Sequence, residues 1–285
     1  MSEPTFALFT SLRYDPILLT HAPNTQDWEP PATAPSPYYM LPLHRDRLVQ
    51  AAEHFDWPLA VAAVSGPAGF KNLLSRLETS IDSTSTTPLR VRVAITKEGT
   101  MTIETSPTPP VELENLFPSR IPPPASIREA VPSVSSLTGG ALTSPGGKLH
   151  GDPPLTNPFI ICPDTIRTPP SSYTSYKTTA RDMYDGARSR LGIKEWTERR
   201  EVLLLSTKDG EIMEGTLTTP FFWREGSWVT PAVSSGGQIG TTRRWALEKG
   251  LCKEGVLKVD SLLEGEECWI SNGVRGFHAG VVKLA

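Results

Sequence analysis

Apolar positions change their period several times along the chain. Over residues 43–55 they recur at Leu43, Leu48, Ala51, Ala52 and Phe55 with charges on the other side, which predicts an amphipathic helix carrying Arg45 and Arg47. A second helix is predicted over 69–79. Residues 89–95 and 101–104 instead alternate apolar and polar around Lys97-Glu98-Gly99, the pattern of a hairpin. A β-prone opening, 6–19, is joined to the first helix by a Pro-, Thr- and Ala-rich loop, 24–37.

Beyond residue 158 short apolar stretches dominate. Strands are predicted at 159–166, 201–206, 211–223, 227–230, 267–272 and 280–284, and helices at 179–191 and 241–249. A turn at Asp209-Gly210 and a loop at 234–240 separate them. Between the two halves, 107–158 is dense in Pro, Ser and Gly with little periodicity; short elements are expected at 111–116 and 127–134. The expected fold is therefore α/β (α+β) and two-lobed: a small N-terminal α/β lobe over 1–130, a Pro/Ser/Gly-rich linker over 131–158, and a larger sheet-rich C-terminal lobe over 159–285.

Composition narrows the function classes. The 285 residues carry 28 Lys and Arg against 31 Asp and Glu, a formal net charge of -3, and the cations are scattered rather than striped. That is not the footprint of a nucleic-acid binder. No basic head precedes an apolar run at the N-terminus and no stretch has the length of a membrane span, so a soluble, cytoplasmic protein without membrane partners is the expectation. Cys162, Cys252 and Cys268 are few, odd in number and far apart, without the paired spacing of a zinc site or a disulfide framework. They are read as reduced packing residues, and no metal is expected.

Four segments, in order, carry the chemistry. They are Leu43-His44-Arg45-Asp46-Arg47-Leu48, Tyr176-Lys177-Thr178-Thr179-Ala180-Arg181, Asp209-Gly210-Glu211-Ile212-Met213-Glu214-Gly215 and Gln238-Ile239-Gly240-Thr241-Thr242-Arg243. Singly, each has an ordinary reading as a helix surface, a solvated loop, a hairpin and a helix start. Their order and spacing resemble the fold-type IV pyridoxal-phosphate family, also called class IV aminotransferases, which includes branched-chain and D-amino-acid transaminases and 4-amino-4-deoxychorismate lyase. The resemblance implies a phosphate-binding role for Arg47 and a covalent link from Lys177 to pyridoxal phosphate. It implies that Glu214 faces the pyridine nitrogen and that Gly240, Thr241 and Thr242 cradle the phosphate at a helix start. It also implies a site between the lobes, closed by Ser271-Asn272-Gly273, and a homodimer.

The residue types suit those roles. A buried lysine beside other cations loses its proton more readily, which makes it a nucleophile and a proton carrier. A carboxylate against a ring nitrogen favours the protonated ring, and a forked guanidinium with helix N-terminal donors suits a phosphate dianion.

The opening Thr10-Ser11-Leu12-Arg13 and the run Thr168-Pro169-Pro170 before Lys177 resemble the lyase members of fungi, where that strand lines the substrate side; Thr10, Arg13, Arg181 and Asn272 are the expected substrate contacts. Branched-chain transaminases carry a tyrosine five residues past the lysine, where this chain has Asp182. One departure stands beside these likenesses: Thr218-Thr219-Pro220 occupies the place where many family members have an Asn. The expected reaction is conversion of 4-amino-4-deoxychorismate, a small-molecule substrate, to p-aminobenzoate and pyruvate, a step of folate-precursor synthesis. The alternatives are amino transfer from branched-chain or D-amino acids to a keto acid, and cofactor binding without turnover.

Overall fold

The computed structural model describes residues 6–25, 28, 34–82, 84–125, 127 and 157–284. The N-terminal half is built on an antiparallel sheet of β1 (Leu8–Tyr14), β2 (Leu89–Ile95) and β3 (Met101–Pro107), in that order. Strand alternation puts Leu8 and Leu12 of β1 on one face, with Val91 and Val93 of β2. There they meet Leu48 and Ala52 of α1 (Leu41–His54) and Leu73 and Leu77 of α3 (Gly66–Ser80) in one buried cluster. Between these helices lies α2 (Pro58–Val64), which the apolar period did not separate; Pro58 and Pro67 each open a helix at a position where no N–H is missed. The strand predicted over 6–19 stops at Tyr14, because Asp15 accepts the Ile17 backbone N–H at 3.1 Å and caps a 3₁₀ turn, Pro16–Thr20.

In the second half one mixed sheet carries eight strands: β4 (Phe159–Thr168), β5 (Arg200–Ser206), β6 (Ile212–Gly215), β7 (Thr219–Arg224), β8 (Ser227–Pro231), β9 (Lys253–Gly255), β10 (Glu267–Asn272) and β11 (Gly276–Val282). Their order is β6-β5-β4-β11-β10-β7-β8-β9. Phe159, Ile161, Leu203, Ile212, Phe222 and Ile270 bury one face of it. Short helices α4 (Leu113–Leu116) and α5 (Ser172–Ser175) accompany α6 (Asp182–Arg190) and α7 (Thr241–Glu248). Among the described residues no helix is long and apolar enough to cross a membrane. The expected element at 127–134 and all but the last two residues of the 131–158 linker lie outside the described residues, apart from Ile127.

Two departures from the expected elements shape the cavity. The helix predicted from residue 179 starts at Asp182, because the preceding residues pair with β1. Phe9 donates its N–H to the Lys177 carbonyl at 3.0 Å, and Thr179 donates to the Ala7 carbonyl at 2.9 Å. The strand predicted over 211–223 is broken at 216–218, where Glu201 of β5 accepts from Thr216 Oγ1 (2.5 Å), Thr218 Oγ1 (2.8 Å) and the Leu217 N–H (3.2 Å). A β-branched run that reads as continuous strand is thus pulled out of the sheet by one buried carboxylate. Gly215 is required at this corner, since a Cβ there would lie 2.7 Å from Thr218 Oγ1 and 3.0 Å from the Glu201 carboxyl carbon.

Candidate active site

A cavity of about 290 Å³ opens between the two sheets, and its wall includes Arg47, Lys177, Glu214, Gly240, Thr241 and Thr242. These six come from α1, the β1-paired segment, β6 and the start of α7, so the fold gathers residues far apart in sequence. Lys177 is fixed by its own backbone, since its carbonyl and the adjoining Thr179 N–H are both held by β1. Its Nζ lies 5.0 Å from the Phe9 ring centroid and makes no hydrogen bond or ion pair with any described residue. Burial, then the positive charges of Arg181 and Arg47, hold the Lys177 amine well below its usual pKa, with Glu214 opposing. The amine therefore sheds its proton more readily than a solvated lysine does.

Arg47 reaches the cavity from α1. Its Nη2 donates to Thr10 Oγ1 and lies 3.4 Å from His44 Nδ1, while its Nε is buried without a partner among the described residues. Thr10 Oγ1, accepting from Arg47, also shares a hydrogen bond with His44 Nδ1 at 2.6 Å. Close approach to that histidine explains Gly273, where a Cβ would lie 2.4 Å from His44 Cε1. Burial lowers the Arg47 guanidinium to about 10, still charged at neutral pH, yet no described carboxylate pairs with it. A buried guanidinium left without a counter-charge is a costly arrangement unless an anion completes it. Beside it, α7 begins at the Gly240 cap, and the first-turn N–H groups have no acceptor inside their own helix. The set fits a phosphate dianion.

Glu214 is held from behind. Tyr184 donates its hydroxyl to Glu214 Oε1 at 2.6 Å and accepts from Gln238 Nε2 at 3.0 Å. Burial raises the Glu214 carboxyl, and the Tyr184 hydrogen bond and the Lys177 amine oppose the rise. One oxygen is thus fixed while the residue lines the cavity. A carboxylate desolvated in this way gains most from a partner that brings a proton of its own, such as a pyridinium N–H. An uncommitted amine, an unpaired guanidinium beside a helix start and a braced carboxylate fit the three polar parts of pyridoxal phosphate.

Of the expected substrate contacts, Arg181 and Asn272 line the cavity and Thr10 and Arg13 do not. Thr10 shares the helix-facing side of β1 with Leu8 and Leu12, which is why it meets His44 and Arg47 instead. Arg13 is fully buried, its donors taken by Asp15 Oδ2 (2.7 Å), the Val274 carbonyl (3.2 Å) and the Pro109 carbonyl (3.0 Å). Asn272 lines the wall but spends its side chain on backbone. Its Oδ1 accepts the N–H groups of Val274 and Arg275, and its Nδ2 donates to the Leu217 carbonyl. Arg181 Nη2 likewise anchors the Thr216 carbonyl at 2.9 Å. Where many family members have an Asn, Thr218 is held by Glu201, which carries no signal in sequence because a Glu at a strand start resembles any edge charge.

Sequence reading also missed Tyr184, Gln238 and the cationic outer wall of Arg90, Arg92 and Arg275. The signal available was the pair of arginines two apart on a predicted strand, which alternation puts on one face.

Comparison with known proteins identifies the family and the fold. The model of the family described as amino-transferase class IV matches residues 32–279. The chain is 36% identical over 127 residues to the aminodeoxychorismate lyase of Saccharomyces cerevisiae, covering 40% of this chain and 34% of that protein. It spans less than half the length of each curated relative it matches. The crystal structure of 4-amino-4-deoxychorismate lyase from Pseudomonas aeruginosa superposes with a TM-score of 0.59 at 14% identity, over 98% of this chain and 83% of that one. The branched-chain amino acid aminotransferase of Escherichia coli gives 0.57 at 14% identity, over 98% and 76%. Both share the fold.

Proposed function

The chain belongs to the amino-transferase class IV family, and from that premise we propose that it is a pyridoxal-phosphate-dependent lyase that converts 4-amino-4-deoxychorismate to p-aminobenzoate and pyruvate. The observation that carries the cofactor half of this reading is the buried Lys177 amine, without a polar partner among the described residues, on the same cavity wall as an Arg47 guanidinium that no described carboxylate pairs. The lyase half is supported by the activity named for the yeast relative. It is supported too by the absence of any tyrosine from the cavity wall among the described residues: Asp182 stands five residues past Lys177, and the nearby Tyr184 is turned onto Glu214.

When bound, pyridoxal phosphate supplies an electron sink for the carbon that bears the substrate amine. Arg47 and the first turn of α7 would hold the phosphate, and Glu214, steadied by Tyr184, would keep the ring nitrogen protonated. Lys177 Nζ removes the proton from the amine-bearing carbon and can return it, a role that suits a buried lysine beside other cations. In the substrate, loss of that proton and breakage of the enol ether C–O bond make the ring aromatic; the released three-carbon fragment becomes pyruvate. Substrate and the two products balance without a further reactant.

An elimination of this kind needs no amino acceptor. Given 4-amino-4-deoxychorismate and no keto acid, the purified holoenzyme is expected to release p-aminobenzoate and pyruvate in equal amounts over many turnovers, followed by chromatography and a lactate dehydrogenase couple. Offered L- or D-amino acids with 2-oxoglutarate, it should transfer amino groups slowly or not at all. Brisk transfer with no p-aminobenzoate would replace the lyase reading by a transaminase one.

A further inference from the structure

The outer cavity holds cations that the proposed chemistry leaves unused. Six cationic side chains line the whole cavity against one carboxylate, Glu214, and only Arg47 and Lys177 are engaged by the cofactor roles above. Arg92 is neutralised by Glu104 at 2.8 Å, and Arg181 is anchored to the Thr216 carbonyl. Arg90 differs: half-buried on the cavity wall, it makes no hydrogen bond or ion pair with any described residue. The Arg275 guanidinium, in the turn between β10 and β11, donates among the described residues only to the Trp196 carbonyl oxygen.

These two guanidiniums share one aromatic platform. The Cζ of Arg90 lies 5.9 Å and that of Arg275 5.5 Å from the Trp196 ring centroid. Packing against an indole fixes the plane of a guanidinium while leaving its N–H fork free to point elsewhere. Two like charges held near each other, partly desolvated and with no ion-paired carboxylate among the described residues, form a site that an incoming anion completes. Burial lowers both arginines from their usual pKa; neighbouring cations add to this, while Glu104 opposes it at Arg90 and Glu201 at Arg275. A planar carboxylate matches such forks bidentately.

We propose that Arg90 and Arg275, held over Trp196, are a specificity-determining pair that receives a second carboxylate on the substrate. The cavity then selects amines carrying two carboxylates over amino acids carrying one. The identity of the amine rests on the lyase reading: 4-amino-4-deoxychorismate bears one carboxylate on its ring and another on its enolpyruvyl arm, whereas a branched-chain amino acid has only one.

Binding of amine-free analogues tests this apart from turnover. By calorimetry on the holoenzyme, isophthalate, with two carboxylates, should bind at least roughly tenfold more tightly than benzoate, with one. Arg90→Gln and Arg275→Gln should each weaken isophthalate roughly 10- to 100-fold while leaving benzoate and the cofactor absorbance unchanged. Arg90 makes no polar bond that the fold uses, so its variant stays informative if Arg275→Gln folds poorly. Equal affinity of the two acids, or a preference that survives Arg90→Gln, overturns the subsite. A protein that shows the preference yet forms no p-aminobenzoate keeps the subsite and loses the lyase reading; product formed without the preference does the reverse.

Discussion

Lys177→Ala is expected to give a folded protein that still binds pyridoxal phosphate but turns over at least about 10²–10⁴-fold more slowly, the range that a positioned proton carrier alone contributes. Loss of the covalent attachment adds to that, because the same amine is the nucleophile. Folding should survive. The Lys177 Nζ is buried without a partner among the described residues, so removing it discards a desolvated amine rather than a bond, and the segment stays pinned to the β1 segment through backbone hydrogen bonds at 3.0 and 2.9 Å. Cofactor should be retained non-covalently through Arg47 and the start of α7, and should be lost more readily on dialysis. Steady-state kinetics, thermal melting and an absorbance spectrum check the three parts; a variant turning over at the parent rate would remove Lys177 from the chemistry.

What could be read from residues alone, and what could not, follows from the range of the forces involved. Helices α1 and α7 and the hairpin of β2 and β3 were legible because one apolar face against a core leaves a period in the sequence. Lys177, Arg47, Glu214 and the Gly240-Thr241-Thr242 turn were legible by resemblance, and the fold brings them to one cavity. Three things were not legible. The break between β6 and β7 depends on Glu201, fifteen residues before Thr216, and a hydrogen bond across strands has no local signature. Thr10 and Arg13 were assigned to substrate, but alternation turns Thr10 toward α1, and Asp15 with two carbonyls claims Arg13. The pairing of Arg90 with Arg275 spans 185 positions and meets only through Trp196.

The second large effect is expected at Glu214. Glu214→Gln keeps the shape of the side chain and can keep the Tyr184 contact seen at 2.6 Å, but it removes the charge. Removing one partner of a buried ion pair costs about 3–5 kcal/mol, which at 1.36 kcal/mol per pKa unit lowers the protonated ring population, and with it turnover, by roughly 10²–10⁴-fold. Cofactor binding should change little, because the phosphate contacts from Arg47 and α7 are untouched. The pH profile separates this from a folding defect: with the carboxylate gone, ring protonation relies on bulk pH, so the residual activity of Glu214→Gln should rise as pH falls. A fully active variant with the parent profile would mean that Glu214 does not serve the ring.

The central claim is that the cofactor is carried by Lys177, and reductive trapping tests it most directly. Holoenzyme treated with borohydride should lose its yellow absorbance, fix the cofactor irreversibly and, after digestion and mass spectrometry, carry the added phosphopyridoxyl mass on the peptide containing Tyr176-Lys177-Thr178. A label on any other lysine, or a cofactor that borohydride leaves free to dialyse away, would contradict it.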